Sequence, residues 1–245
     1  MTGVQTCALP ISRTPIGRFG SSLASLAAVD LGAVAIREAL ARSGVEPASV
    51  DYVVMGQVLQ AGTGQITARQ AAIAAGLPRE VPAITINKVC LSGLNAVAMA
   101  DQMIRAGEAD IVVAGGMESM SQAPYLLPKA REGLRIGDGQ VVDSLIHDGL
   151  WSTFTKQHMG ESSDAINREL GITRAEQDAW AARSHRRAAA AWESGVLAEE
   201  VVAVEVPGKG GPTLVDRDEG VRADSTAEKL ATLRPAFVEG GTITA

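Results

Sequence analysis

The sequence predicts an α/β fold with parallel strands covered by helices. Three observations carry that prediction. Short apolar runs of strand character alternate with stretches of helical periodicity between about residues 29 and 114. The connections between them are short, which suits crossover units and a parallel sheet. The chain holds 26 glycines against a usual share of about 7%, and only 3% aromatic residues, so its elements can pack closely.

The elements follow in order. Val29, Ala33, Ile36 and Leu40 recur at helical spacing, with Asp30 near the start and Gly44 just past the end. Residues 51–58 (DYVVMGQV) read as a buried strand, because their apolar residues run together without helical period. An Ala-rich helix over 65–75 is closed by Gly76 and Pro78. Residues 83–89 (AITINKV) form a second strand, and residues 91–106 a helix stopped by Gly107. A third strand covers 110–114 (DIVVA) and runs into Gly115-Gly116.

After Met117 the periodicity fades. Pro124, Pro128, Gly133, Gly137 and Gly139 predict an elaborate loop. Thr173-Arg174-Ala175-Glu176 has the capping-box pattern and opens a helix that Gly195 ends. Residues 201–206 read as a short strand. Ser225-Thr226-Ala227-Glu228 reads as a second capping box, opening a helix stopped by Pro235.

Length and composition exclude several classes. A chain of 245 residues, 46% hydrophobic and 20% charged, is long enough for a substantial core in one large or two small domains. No apolar run approaches the roughly 18 residues of a membrane span. The net charge of −6, without a Lys/Arg cluster, disfavours a nucleic-acid partner. Two cysteines are too few for a disulfide scaffold and point to a reducing, cytoplasmic setting. Residues 1–11, MTGVQTCALPI, resemble the translated adapter of a sequencing library, the alternative being a natural N-terminal strand. On the first reading Cys7 carries no meaning. The close at Gly240-Gly241-Thr242-Ile243-Thr244-Ala245, without a helix stop, suggests a fragment.

Cys90 stands at a strand-to-helix junction, with Ser92 and Gly93 allowing a tight turn. The C-terminal edge of a parallel sheet is where α/β proteins place their sites. A helix N-terminus favours an anion by about 0.3–1 kcal/mol, too little alone to make a strong nucleophile, so a base is needed. From spacing alone a buried, inert cysteine is an equal reading. Lys88 is either an aid to ionisation or a solvated flank. His147 and His158 bracket residues 148–154, and His185, in an Arg-rich helix, is expected at the surface; any of the three is a possible base, and the sequence does not bring one to Cys90. No His/Cys spacing predicts a metal. Gly62-Thr63-Gly64 lacks the third glycine of a dinucleotide loop. Glu118 reads as a structural ion-pair partner.

The segment Asn87-Lys88-Val89-Cys90-Leu91-Ser92-Gly93 resembles the active-site signature of the thiolases, the acetyl-CoA acetyltransferase group. Further segments match in order: Arg13-Thr14-Pro15-Ile16-Gly17, Ala61-Gly62-Thr63-Gly64-Gln65, Ala68-Arg69-Gln70 and residues 114–120 (AGGMESM). They continue through Pro124-Tyr125-Leu126-Leu127-Pro128, His158-Met159-Gly160 and residues 233–237 (LRPAF). The resemblance implies a layered α-β-α-β-α fold, of which this chain holds the first half and an inserted loop domain. It places the N-terminal half-domain over 12–117 and the loop domain, with the start of the return to the core, over 118–245. It implies that the C-terminal domain is missing.

The chemistry implied is a two-step acyl transfer without a cofactor, since coenzyme A thioesters are the substrates. Cys90 would take an acetyl group from acetyl-CoA, and a second acetyl-CoA would attack it, giving acetoacetyl-CoA and CoA. A covalent thioester splits one hard step into two, and each builds an oxyanion that fixed donors must meet, the backbone N–H of Cys90 among them. By motif match His158 and Met159 face the pantetheine end of CoA. Leu150, Arg222 and Phe237 line the route toward its adenine end, and Ala245 begins a Gly/Ser-rich CoA loop. The resemblance also requires a Gly-His-Pro turn, an asparagine and a second cysteine followed by glycines. None of these motifs occurs in the 245 residues, so this polypeptide is expected to be inactive while its full-length parent, a homodimer or homotetramer, turns over. Competing readings are a decarboxylating ketosynthase, a thiolase-like CoA- or lipid-binding protein without catalysis, and a purely structural α/β domain.

Overall fold

The structure, a computed structural model, describes residues 11–244. The expectations placed on Cys7, on the rest of the first ten residues and on Ala245 lie outside them. The chain forms two compact units: residues up to 145 together with 200–219, and residues 146–199 together with 220 onward.

The first unit is built on three parallel strands, β1 (Tyr52–Gly56), β2 (Ala83–Ile86) and β3 (Val112–Gly116), in the order β2-β1-β3. β1 lies in the middle, pairing Val54 with Ile84 on one side and with Ala114 on the other. Helix α1 (Ala28–Ser43) ends at Gly44 in the left-handed conformation, and Asp30 accepts the Ala27 N–H at its start. Helix α2 (Thr67–Ala75) ends at Gly76, and α3 (Ser92–Ala106) at Gly107, as their glycines predict. β1 and β2 are shorter than expected at their C-terminal ends, because residues 57–59 and 87–90 turn away from the sheet to build the site, whereas β3 starts two residues later than expected and runs on through Gly116.

Strand alternation divides the core. Val53 and Met55 join Ala33, Ile36 and Leu40 of α1 and the alanines of α2 in one apolar cluster. The alanines let the two helices lie close on the sheet. Val54 and Gly56 point to the opposite face, where α3 packs on β1 and β3. A Cβ at Gly56 would stand 2.6 Å from the Ser92 backbone, so only glycine lets the first turn of α3 rest on the strand end.

Two further strands belong to this unit. The strand predicted over 201–206 narrows to β8 (Val204–Val206), antiparallel to an unpredicted β9 (Thr213–Val215). After β3 the expected loop carries the two-residue strands β4 (Tyr125–Leu126) and β5 (Val142–Asp143) and short 3-10 turns at Met120–Gln122 and Ala130–Glu132.

The second unit is helical. A π-helical turn at Leu145–Leu150 leads into a two-residue hairpin, β6 (Trp151–Ser152) with β7 (Gln157–His158). Helix α4 (Met159–Glu169) follows, then α5 (Arg174–Glu193) and α6 (Ala227–Ala231). At α5 the predicted capping box forms: the Glu176 N–H donates to Thr173 Oγ1, and the Thr173 N–H to the Glu176 carboxylate at 2.8 Å. The second box is displaced by one residue. The N-cap is Thr226, whose Oγ1 accepts the Lys229 N–H, while Ser225 is buried.

Helix α4 has no counterpart in the sequence prediction. The residue it buries is Asp164, and Ile166 and Met159 are exposed, so its inward face carries no apolar stripe to read.

Candidate active site

Cys90 lies where β2 hands over to α3, just before the helix. It is exposed, which removes the reading of a buried, inert cysteine. The turn that carries it is tightly held. The Val89 N–H donates to Asn87 Oδ1 at 2.9 Å, and Asn87 Nδ2 donates to the Val58 carbonyl at 3.2 Å. Ser92 Oγ accepts the Lys88 N–H at 2.8 Å and donates to the Val89 carbonyl at 2.6 Å. Val89 itself has φ +51°, in the left-handed region that a β-branched residue avoids. The Lys88 ammonium donates to Asn95 Oδ1 on α3 at 3.1 Å.

The neighbouring strand end is held by a carboxylate. Glu118 Oε2 accepts the backbone N–H groups of Val58 and Leu59, at 2.8 and 3.2 Å. The expected ion pair at Glu118 is therefore replaced by a clamp on backbone amides, one of the strong kinds of hydrogen bond. Glu118 Oε1 and Gln57 Oε1 are buried here without a hydrogen-bond partner. The C-terminal edge of the sheet thus gathers Gln57, Asn87, Cys90, Ser92 and Glu118; the sequence offered no reading for Gln57, placed Asn87 only within the signature, and assigned Ser92 only the part of allowing the turn. The Asn-x-x-Cys-x-Ser spacing was the available signal for the other two members of the turn.

The residues expected to contact CoA lie in the second unit. His158 ends β7 and caps α4, and its ring meets Trp151 edge to face, the centroids 5.0 Å apart. Leu150, half-buried, immediately precedes Trp151, and Met159 is exposed on the first turn of α4. The Phe237 ring lies on Gly160: a Cβ there would meet it at 2.3–2.4 Å, so only glycine admits the ring. Leu150, His158, Met159 and Phe237 are thereby gathered around the start of α4.

Arg222 is exposed and held elsewhere, its N–H donating to His185 Nδ1 at 3.2 Å. His185 is half-buried and engaged with backbone, where the surface was expected. His147 is exposed and pairs with Asp148 at 2.8 Å. Among the described residues no group of three or more His, Cys, Asp or Glu could hold a metal, and no helix is long and apolar enough to cross a membrane.

The sequence did not point to Asp164. It is buried in α4, and its Oδ1 accepts the N–H groups of Thr242 and Ile243 and the Thr242 hydroxyl, at 2.6, 3.2 and 3.0 Å. Gln177 of α5 adds a bond to the same hydroxyl at 2.9 Å. Since the Ala236 N–H donates to the Ile243 carbonyl, the loop that carries Phe237 is closed at its base and fastened to α4 by one aspartate.

Residues 9–245 match the family model described as thiolase, N-terminal domain. A relative from Mycolicibacterium smegmatis named probable acetyl-CoA acetyltransferase is 57% identical over 96% of this chain and 61% of its own length. One from Cupriavidus necator named acetyl-CoA acetyltransferase is 52% identical over 96% of this chain and 60% of its own. The crystal structure of the Bacillus anthracis acetyl-CoA acetyltransferase superposes with a TM-score of 0.91 at 40% identity, covering 95% of this chain and 59% of that one. The chain thus spans about 60% of the length of the relatives it matches.

Proposed function

The chain belongs to the thiolase family, and on that premise we propose that it supplies the nucleophilic half of an acetyl-CoA C-acetyltransferase. The observation that carries the reading is Cys90, exposed at the start of α3 in the turn Asn87-Lys88-Val89-Cys90-Leu91-Ser92-Gly93.

In the first step the Cys90 thiolate attacks the thioester carbonyl of acetyl-CoA. The carbonyl oxygen becomes an oxyanion, the C–S bond to CoA breaks, and CoA leaves as its thiol after taking up a proton. In the second, acetyl-CoA that has lost an α-proton attacks the acetyl-cysteine carbonyl. Acetoacetyl-CoA forms and Cys90 is released; thiolysis is the reverse. Placing Cys90 at a helix start lets the amide dipoles of α3 favour negative charge at the sulfur, and backbone donors there suit the oxyanion.

CoA would lie along the second unit. Leu150, His158, Met159 and Phe237 offer a mixed apolar and polar wall of the kind a pantetheine arm needs, and Arg222 a charge for the nucleotide end. Ala245 belongs to the same reading. The substrates are acetyl-CoA, acetoacetyl-CoA and CoA, and no cofactor takes part. The setting proposed is cytoplasmic lipid and fatty-acid metabolism, and the assembly a homodimer or homotetramer.

Within these 245 residues none of the three histidines stands in a Gly-His-Pro turn, and no second cysteine followed by glycines occurs. The reading therefore assigns the chain nucleophile and CoA contacts, and assigns the base and the α-proton transfer to residues outside it.

Iodoacetamide labelling followed by peptide mass spectrometry tests this. Saturating acetyl-CoA should slow alkylation of Cys90 and leave Cys7 unaffected, while the purified chain should show no thiolysis of acetoacetyl-CoA. Equal labelling of Cys90 with and without acetyl-CoA would contradict the assignment, and measurable thiolysis the division of labour.

A further inference from the structure

We propose that Asn87 and Ser92 are positioning residues that hold Val89 in its left-handed conformation, and that this held turn is what presents Cys90. The inference rests on Cys90 being the nucleophile. Neither residue is argued to touch substrate; both act through the backbone of Val89.

Val89 has φ +51°, and a side chain branched at Cβ resists that value because Cβ crowds its own backbone. Left free, the residue would rotate to negative φ. The orientation of the two peptide groups that flank Cα is set by φ and ψ together, and here both groups are pinned. The group before Cα is fixed through its N–H, which donates to Asn87 Oδ1, and Asn87 is itself tied to the Val58 carbonyl at the neighbouring strand end. The group after Cα is fixed through its carbonyl, which accepts from Ser92 Oγ at 2.6 Å and from the Ser92 N–H at 3.0 Å. The same hydroxyl accepts the Lys88 N–H, so Ser92 uses donor and acceptor at once.

Ser92 is only 4% exposed, seated against the strand end that Gly56 leaves open. Water therefore does not compete for its hydroxyl. The result is a chain reversal completed within a few residues, with the sulfur outside and the helix start behind it. An unclamped turn would place residue 90 differently with respect to α3.

The experiment measures the rate of iodoacetamide alkylation at Cys90 in the 245-residue chain over a pH series, with Cys7 as internal reference. Ser92→Ala keeps the Cβ and removes only the oxygen. Its rate should fall about tenfold, the penalty expected when a strained site relaxes, and its crystal structure should show residue 89 at negative φ. Adding Val89→Gly should restore the rate to within about twofold, since glycine adopts positive φ freely. A Ser92→Ala rate equal to wild type, or a slow rate that glycine does not restore, overturns the proposal.

If Ser92→Ala does not fold, the Asn87 pair decides. Asn87→Leu removes both the acceptor for Val89 and the tie to Val58 and should be slow, whereas the same substitution combined with Val89→Gly should return to near the wild-type rate. Equal rates for the two overturn it. Protection by acetyl-CoA separates this inference from the function it rests on. Lost protection with the variant ranking intact removes the nucleophile reading and leaves the clamp; intact protection with a flat ranking removes the clamp.

Discussion

In the first unit the buried side chains are mostly aliphatic: Val53 and Val54 in the central strand, Ile36 and Leu40 on α1, and a row of alanines on α2. In the second, the fully buried residues among those described are Asp164, Asp178, Ser225 and Ala182. Asp178 pairs with Arg174 at 2.9 Å, and Arg174 in turn donates to the carbonyls of Leu230 in α6 and of Leu233 just beyond it. Asp164 grips Thr242 and Ile243. One unit is closed by burial of apolar area, which is non-directional and tolerant of detail. The other is closed by directed hydrogen bonds, which hold particular loops and fail sharply when one partner is removed. The nucleophile sits on the first kind of frame and the proposed CoA contacts on the second. A rigid sheet edge suits a reacting atom; pinned loops suit a long ligand.

Substitutions in each unit sharpen this contrast. Ile36→Ala, at 2% exposed, should cost about 2–5 kcal/mol by denaturant unfolding, the range for deleting a core aliphatic chain. Asp164→Ala should cost about 1–3 kcal/mol, because it takes the charged acceptor from two half-buried amides. Its signature is local: hydrogen exchange should accelerate at Thr242 and Ile243, whereas Ile36→Ala should leave those amides as protected relative to its own lower stability. Equal acceleration in both variants would erase the distinction.

A smaller effect tests the register of the last helix. Thr226→Ala should cost about 1 kcal/mol through loss of its cap, and Glu228→Gln less, since Glu228 meets its own amide and the Thr226 hydroxyl while the Ser225 N–H that a box would use donates to the Arg222 carbonyl. A larger loss from Glu228→Gln would restore the box that the sequence suggested.

The smallest effect is acid sensitivity. Asp51 accepts the Asp110 and Ile111 amides and Glu176 the Thr173 amide, and these bonds hold both carboxyls below their ordinary range. A group whose folded value is depressed adds stability that is full above its unfolded value and is lost as pH falls through the folded one. Melting temperature should therefore decline on acidification through the carboxylate range, and Asp51→Asn should flatten that decline. Identical pH profiles for variant and wild type would contradict the assignment.

How far the sequence could be read follows the same division. The three strands, the helices on them and their glycine stops were legible, because apolar period and Gly44, Gly76 and Gly107 report directly on burial and termination. Helix α4 was not, since a buried aspartate in its inward face looks like a solvated residue until its partners, some 78 positions away, are known. The strand β9 was hidden for a related reason: Thr213 and Leu214 are exposed, so three residues show no alternation to detect. At the site, Cys90 was legible by motif and by its place at a strand end. The clamp of Asn87 and Ser92 was not, because its evidence is a positive φ at Val89, which only coordinates reveal. Glu118 was expected in an ion pair and His185 at the surface; both instead accept backbone amides, and sequence does not show where a distant N–H will point.

The most direct test of the central claim completes the enzyme. Residues 12–245 can replace the matching segment of the Mycolicibacterium smegmatis relative, which supplies the remaining part of the chain, and thiolysis of acetoacetyl-CoA can be followed. The account predicts an active chimera whose kcat falls by roughly three or more orders of magnitude in Cys90→Ala, as expected when a covalent nucleophile is removed. A chimera that turns over equally well with and without the Cys90 sulfur would contradict it.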